Sequence, residues 1–251
     1  MKRKLILTFD LEFWHNSHFL KCASAADKTP DDGEIEKATG EILAILKTNG
    51  HRATFFVLGE LAEKFPELVK KIKEQGHEIA SHGHTHALLN CSGEDLLEEE
   101  VRLSCQALEK ATGQKPEGFR AACFSLKNND PRTWEVLKES GLKYDSSLHP
   151  LKSFQTPPVD FKEIPCSLGG FYFRLLPLPV FLFLAKLLAK TETPVIYLHP
   201  HELFSFSPRI ASGSWWKRKL KYWGTKNALK KFEKMAESCE FISVKDSLES
   251  P

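Results

Sequence analysis

Long hydrophobic runs are missing from this 251-residue chain. The most apolar stretch, Leu175 to Leu188, is interrupted by Pro177, Pro179 and Lys186 and falls short of a bilayer's thickness, so no transmembrane segment is expected. A buried or interfacial helix starting near Pro179 suits it better. Paired CxxC motifs are also absent. The cysteines (Cys22, Cys91, Cys105, Cys123, Cys166 and Cys239) are scattered, which indicates neither a zinc knuckle nor a disulfide framework and suits small buried hydrophobes. Charge of one sign is scarce, since 35 basic against 33 acidic residues leave a net +2 and no argument for nucleic acid. The basic C-terminal run (Lys217-Arg218-Lys219, Lys221, Lys226, Lys230-Lys231) reads as a solvated helix face. A secretory leader is not apparent either: Met1-Lys2-Arg3-Lys4 is basic, but the apolar run after it ends at Asp10, and the expectation is a cytoplasmic protein. No repeat, low-complexity tract or linker marks a second domain, so residues 1–251 are expected to form one globular unit.

What is present is an alternation of short apolar segments with amphipathic ones. Strands are predicted at Leu5–Phe9, Ala53–Val57, Glu78–Ser81, Gly118–Ala121, Lys143–Asp145, Lys162–Pro165, Val195–Leu198 and Phe241–Val244. Helices are predicted at Glu34–Thr48, Gly59–Glu74, Gly93–Thr112, Pro131–Glu139, Pro179–Lys190 and Thr225–Glu237, with Gly50, Gly76, Gly113 and Gly141 as stops. Repeated βα units imply an α/β fold with a parallel sheet, closed as a distorted (β/α) barrel of seven or eight strands.

Chemistry-bearing residues collect at the ends of those strands. Asp10 and Glu12, His82 and His86, Arg120, Asp145 and His199 each stand at or just past a predicted C-terminal strand end, where barrels assemble their sites. His82 and His86 are four apart, so both imidazoles can reach one cation across a helical turn or tight loop. Asp10 and Glu12 are two apart in an extended segment and face one side. Two imidazoles and a carboxylate leave a tetrahedral ion with an open position for water, the composition of a hydrolytic site.

These segments resemble the polysaccharide deacetylases of carbohydrate esterase family 4, the NodB-homology group. Thr8-Phe9-Asp10-Leu11-Glu12 is similar to the first motif, and His82-Gly83-His84-Thr85-His86 to the second. Phe119-Arg120-Ala121-Ala122-Cys123, Tyr144-Asp145-Ser146-Ser147 and Ile196-Tyr197-Leu198-His199-Pro200 follow in family order. The D-x-E form of the first motif, Gly169 to Pro177 and Leu198-His199-Pro200 look closest to an exopolysaccharide-associated branch. Two departures stand out: Glu12 replaces the usual aspartate ligand one residue later, and Ala122 stands where proline is common.

The resemblance implies a metal-dependent hydrolase that removes N-acetyl groups from N-acetylated amino sugars; the Leu175–Leu188 stretch adds the weaker idea of a lipid-linked saccharide docking beside a membrane surface. Asp10 is then the general base, oriented by a bidentate contact from Arg120. Glu12, His82 and His86 hold one divalent ion, Zn2+ first, with Co2+, Ni2+ or Mn2+ compatible by ligand type. His199 is the general acid, held by Asp145. Glu12 has an alternative as a hydrogen-bond acceptor behind the ligands, and His84 is a bystander. Trp14, His15, His18, Tyr172 and the Trp215-Trp216 pair are candidates to line a sugar groove or simply to pack. Leu175–Leu188 admits a weak membrane-surface contact. The rivals are an allantoinase-like amidohydrolase, which commonly lacks the histidine pair, and a catalytically silent carbohydrate-binding protein.

Overall fold

A computed structural model of the chain describes residues 2–16, 33–91, 94–127, 130–149, 158, 161–204 and 215–249. His18 and Cys22 lie outside the described residues. The chain begins with β1 (Arg3–Leu11), buried from Leu5 onward. Covered on both faces, it reads as an apolar run broken mainly by Thr8 and Asp10, as a central parallel strand should. The remaining strands are β2 (Thr54–Val57), β3 (Glu78–Ser81), β4 (Gly118–Phe119), β5 (Tyr144–Asp145), β6 (Lys162–Glu163), β7 (Leu168–Gly169), β8 (Val195–Leu198) and β9 (Cys239–Ile242). They form one sheet in the order β6-β5-β4-β3-β2-β1-β8-β7, with β9 also on β1. Every pairing is parallel.

The two ends of that order, β6 and β7, are joined by the short segment from Ile164 to Ser167. There the Cys166 N–H donates to the Leu148 carbonyl (2.9 Å), and Ser167 Oγ accepts from the Val195 N–H (3.0 Å). The curled sheet is thus drawn round by chain continuity. This is the expected distorted (β/α) barrel.

Helices cover the sheet: α1 (Glu34–Thr48), α2 (Gly59–Lys64), α3 (Pro66–Glu74), α4 (Glu94–Thr112), α5 (Pro131–Glu139), α6 (Gly170–Leu175), α7 (Leu178–Leu187), α8 (Trp215–Tyr222), α9 (Thr225–Ser238) and α10 (Val244–Glu249). Four differences from the sequence reading have local causes. The helix expected over Gly59–Glu74 breaks at Phe65, because Pro66 cannot continue α2 and instead opens α3. The helix expected to start at Pro179 starts one residue earlier and ends at Leu187. The last strand lies two residues earlier than Phe241–Val244. Finally, β7, α6 and α10, of two to six residues, are too short to carry a periodic signal, while α8 takes in the first part of the basic run read as a helix face.

The largest apolar cluster runs from Leu5 to Phe241 in sequence and joins β1 to α1, α2, α3, α7 and α9. At its centre Phe9 stacks on Phe55 (5.1 Å) and meets the edge of Phe232 (5.8 Å). Register then aligns the site. Leu11 pairs Val57, Val57 pairs Ser81, Ser81 pairs Phe119 and Phe119 pairs Asp145. The residues one step further, Glu12, His82, Arg120 and Ser146, therefore share one rim. Phe9 pairs Leu198, which brings Asp10 level with His199.

Phe9→Ala should cost about 3–5 kcal/mol, because it opens a cavity against two aromatic rings that cannot both close over it. Urea unfolding followed by circular dichroism measures this; a loss under about 1 kcal/mol would show that Phe9 is not central to the core.

Candidate active site

Glu12 leaves the end of β1 and is almost wholly buried. Its Oε2 lies 2.5 Å from His86 Nε2 and 3.9 Å from His82 Nε2, and ligand atoms of all three lie within 4.8 Å of one another. The histidines come from a tight loop, not a helical turn. Gly83 (φ +81°) and His86 (φ +67°) both take left-handed backbone there, which turns the second imidazole back toward the first.

The loop is clamped from two sides. The first-turn N–H groups of α2, on Gly59 and Glu60, donate to the carbonyls of Gly83 (2.9 Å) and His84 (3.1 Å). From α4, the buried Glu100 carboxylate accepts from the His84 N–H (2.7 Å), the Thr85 N–H (3.0 Å) and the Thr85 hydroxyl (2.5 Å). His84 packs toward Gly59, where a β-carbon would come within 2.1 Å of its Nδ1. It stays out of the three-residue cluster. Glu100 was missed in the sequence, although it sits three residues after Leu97 and four before Ser104, on the inward stripe of α4.

The donor set suits a divalent cation. His82 Nδ1 faces the Arg120 carbonyl at 2.8 Å, so that nitrogen carries the hydrogen and Nε2 keeps its lone pair. Burial lowers the His82 pKa to about 4, against the pull of Asp10, and keeps the ring neutral. Burial by itself would raise the Glu12 pKa; His86 and His199 outweigh it and hold the carboxyl well below the usual range. A carboxylate and two histidine nitrogens directed at one point make three of the four positions of a tetrahedral site.

Beside them stands Asp10. Arg120, with no exposure, donates from Nη1 to Asp10 Oδ1 (2.6 Å) and to Thr8 Oγ1 (2.9 Å), from Nε to the Ser146 carbonyl (3.1 Å), and from Nη2 to Ser146 Oγ (2.8 Å). The expected bidentate grip on Asp10 is therefore a single bond, because the guanidinium divides its donors among three residues.

His199 Nε2 lies 3.8 Å from Asp10 Oδ2 and 3.7 Å from Glu12 Oε1. Its Nδ1–H donates to Glu202 Oε2 (2.9 Å), and the same oxygen accepts the His199 backbone N–H (3.1 Å). Burial would lower the His199 pKa, but Glu202, Glu12 and Asp10 push it up to about 10, while Glu202 is held down at about 2. Gly170 makes this possible, since a β-carbon there would meet Glu202 Oε2 at 1.7 Å.

The partnership of Asp145 with His199 is corrected accordingly: Glu202 holds the ring through Nδ1, and Nε2 faces Asp10 and Glu12. Asp145 instead accepts from Ser147 N–H (3.0 Å) and Ser147 Oγ (2.6 Å) and pairs with Glu163, burial pushing both carboxyls above their ordinary range. The Ser147 hydroxyl in turn accepts the Ala121 N–H (2.8 Å), so Asp145 braces the segment that follows Arg120. Glu202 was overlooked because it follows a proline, where no strand periodicity predicts direction; its side chain returns through a short helical turn, Pro200–Glu202. Trp14 is buried and His15 stacks on Phe13 (5.3 Å), so both pack.

Residues 26–144 match the Polysaccharide deacetylase family, and residues 146–249 match a Domain of unknown function (DUF3473). A peptidoglycan-N-acetylglucosamine deacetylase of Bacillus cereus is 39% identical over 92 residues, covering 37% of this chain and 34% of that protein. The chain spans less than half the length of the first curated relatives it matches. In fold it is similar to a carbohydrate esterase 4 pseudoenzyme from Bacillus anthracis (TM-score 0.60, 16% identity, 99% of this chain and 66% of that one). It is also similar to a family 4 carbohydrate esterase from Streptomyces lividans (TM-score 0.52, 19% identity, 91% and 90%). Residues 26–144 thus match the polysaccharide deacetylases, the group of carbohydrate esterase family 4 and NodB homology, and the solved structures show the same fold over nearly the whole chain.

The Asp145–Glu163 pair generates a pH test. Burial, then the neighbouring Asp145 charge, holds the Glu163 carboxyl protonated well above its usual range. A raised folded pKa means that its stabilisation is complete below the unfolded carboxyl value, about 4.3, and is lost as pH rises through the folded value. Glu163→Gln keeps the donor and removes the titration. The variant should gain stability relative to the parent as pH rises from 5 to 8, measured by urea unfolding at each pH; a constant difference would rule out the raised Glu163 value.

Proposed function

We propose that the chain is a metal-dependent hydrolase that removes acetyl groups from N-acetylated amino sugars in poly- or oligosaccharides. One observation carries this reading: a three-ligand cluster, an arginine-held aspartate and a glutamate-held histidine all converge on one rim of the barrel. Glu12, His82 and His86 would hold the cation. Zn2+ is the ion that this donor set favours, while Co2+, Ni2+ and Mn2+ fit the same ligands. When bound, it supplies Lewis acidity, polarising the acetamide carbonyl and lowering the pKa of water.

The chain's own groups do the proton work. Asp10, held in place by Arg120, takes a proton from the attacking water as its oxygen joins the carbonyl carbon. His199, kept protonated by Glu202, gives a proton to the sugar nitrogen as the C–N bond breaks. Acetate and a free amine leave, and one transfer of a proton between the two groups restores the start. His199 Nε2 is within 4 Å of both Asp10 and Glu12, so acid and base stand next to one reacting centre.

Relatives named as deacetylases of peptidoglycan and chitooligosaccharides support this substrate class. The D-x-E first motif favours the exopolysaccharide-associated branch, and a lipid-linked saccharide is the finer form of the substrate. The likeness to a pseudoenzyme makes a silent carbohydrate-binding protein the second reading; the presence of Asp10 and His199 beside the Glu12, His82 and His86 cluster supports the catalytic one. An allantoinase-like activity is disfavoured by the histidine pair.

Acetate released from N-acetylglucosamine oligomers by Zn2+-reconstituted protein tests the proposal. Asp10→Asn and His199→Ala should each lower kcat about 100-fold or more. His86→Ala should lose the metal itself, read by elemental analysis. Glu202→Gln should lower kcat about 10- to 100-fold and move the basic limb of the pH profile downward, because its charge raises the His199 pKa. Metal binding at one per chain with no release from any amide would favour the silent reading; no metal binding would overturn the proposal.

A further inference from the structure

All eight large hydrophobic side chains that stand exposed among the described residues fall between Tyr172 and Trp223. On α7, Val180, Phe183 and Leu187 recur at i, i+3 and i+7 and are 43%, 64% and 66% exposed, while Phe181, Leu182 and Ala185 turn inward. The helix is therefore apolar on its outer face as well as its inner one, which water alone does not favour. Trp223 extends the patch, since its carbonyl accepts from Arg174 Nη1 of α6 (2.8 Å). Trp215 and Trp216 open the next helix, 68% and 51% exposed.

Charge is segregated to the same part of the chain. Residues 164–232 contain eleven Lys and Arg but only two carboxylates, Glu192 and Glu202, and Glu202 is spent on His199. The remainder of the chain holds more acidic than basic residues. Lys186, Lys190, Lys219, Lys226 and Lys230 are all exposed.

We infer that this face docks on an anionic lipid bilayer, with α7 lying in the plane of the interface. At ten residues α7 is about 15 Å long, roughly half the hydrocarbon thickness, and no helix among the described residues is long and apolar enough to cross a membrane. Aliphatic and phenyl groups on one side of α7, with exposed tryptophans and lysines in the same stretch of chain, match the headgroup–acyl boundary. A nucleic acid would satisfy the lysines but leave Val180, Phe183 and Leu187 without a partner. A symmetric pair of copies would press cations against cations. The inference does not depend on the deacetylase reading, because binding needs no chemistry.

Flotation of the whole chain with vesicles tests it, comparing phosphatidylcholine alone with phosphatidylcholine carrying about 30% phosphatidylglycerol. Binding should be about tenfold stronger to the anionic vesicles, weaken with salt, and shift the tryptophan emission to the blue. Phe183→Ser with Leu187→Ser should reduce it about tenfold or more. Both side chains are exposed, so the far-UV spectrum and acetate release from soluble oligomers should be unchanged. His86→Ala should bind vesicles as the parent does, which separates this claim from the catalytic one. No flotation, equal binding by the double variant, or a dimer in sedimentation that the double variant abolishes would each overturn it.

Discussion

A guanidinium with no exposure must be neutralised and hydrogen-bonded where it sits, and Arg120 imposes that condition on the whole rim. Its side chain ties Thr8 and Asp10 of β1 to Ser146 beyond β5, and its guanidinium lies 4.0 Å above the ring of Phe56 on β2. Its backbone carbonyl receives Nδ1–H of His82 from the end of β3. A single residue thus orients Asp10 through its side chain and His82 through its main chain. Lysine could not substitute, because a point charge has no planar fork with which to reach three residues at once. The two-residue length of β4 matters less than the fact that it ends here.

The same rim shows how partners divide the roles of otherwise similar groups. His82 and His199 are both histidines held through Nδ1, yet they move in opposite directions. Facing a neutral carbonyl, His82 yields to burial and stays uncharged, available as a ligand. Facing a carboxylate, with two more nearby, His199 overcomes burial and stays charged, available as an acid. Asp10 and Glu12 divide likewise: one is turned to a fixed cation, the other to imidazoles that a metal can share. Separation of roles by partner is how a small fold runs acid and base chemistry at one pH.

Most of the frame was legible in the sequence because buried parallel strands are short apolar runs between glycine-stopped helices. Glu34–Thr48, Pro131–Glu139 and Glu78–Ser81 fall where periodicity puts them. The clustering of Asp10, Glu12, His82, His86, Arg120 and His199 was legible too, since Glu12, His82, Arg120 and His199 directly follow strands, Asp10 lies two residues before Glu12, and His86 lies four after His82. The supporting groups were not. Glu100 reaches its loop from a helix, Glu202 returns through a turn after a proline, and Asp145 turns to Glu163 instead of His199. These contacts depend on where a side chain bends after its element ends, and periodicity has no term for that. Two-residue strands such as β7 exist because a neighbour pairs them, so their own residues barely announce them.

The division of labour along the chain gives the fold its logic. Glu12, His82, His86, Asp10 and Arg120 all precede Asp145, while Ser146, His199 and Glu202 follow it. The earlier segment holds the Glu12, His82 and His86 cluster together with Asp10; the later one holds His199 and the Glu202 that pairs with it. Neither segment is a body by itself, for the sheet continues from β5 into β6 and the main core takes residues from both. Family boundaries in sequence therefore fall across the middle of a sheet, at the strand whose end braces Arg120. Divergence in the later segment can alter what supports the acid, as Glu202 does here, without disturbing the ligands opposite. On the rim itself the two contributions meet through side chains, with His199 Nε2 lying 3.8 Å from Asp10 and 3.7 Å from Glu12, while the shared sheet and core hold the frame behind them.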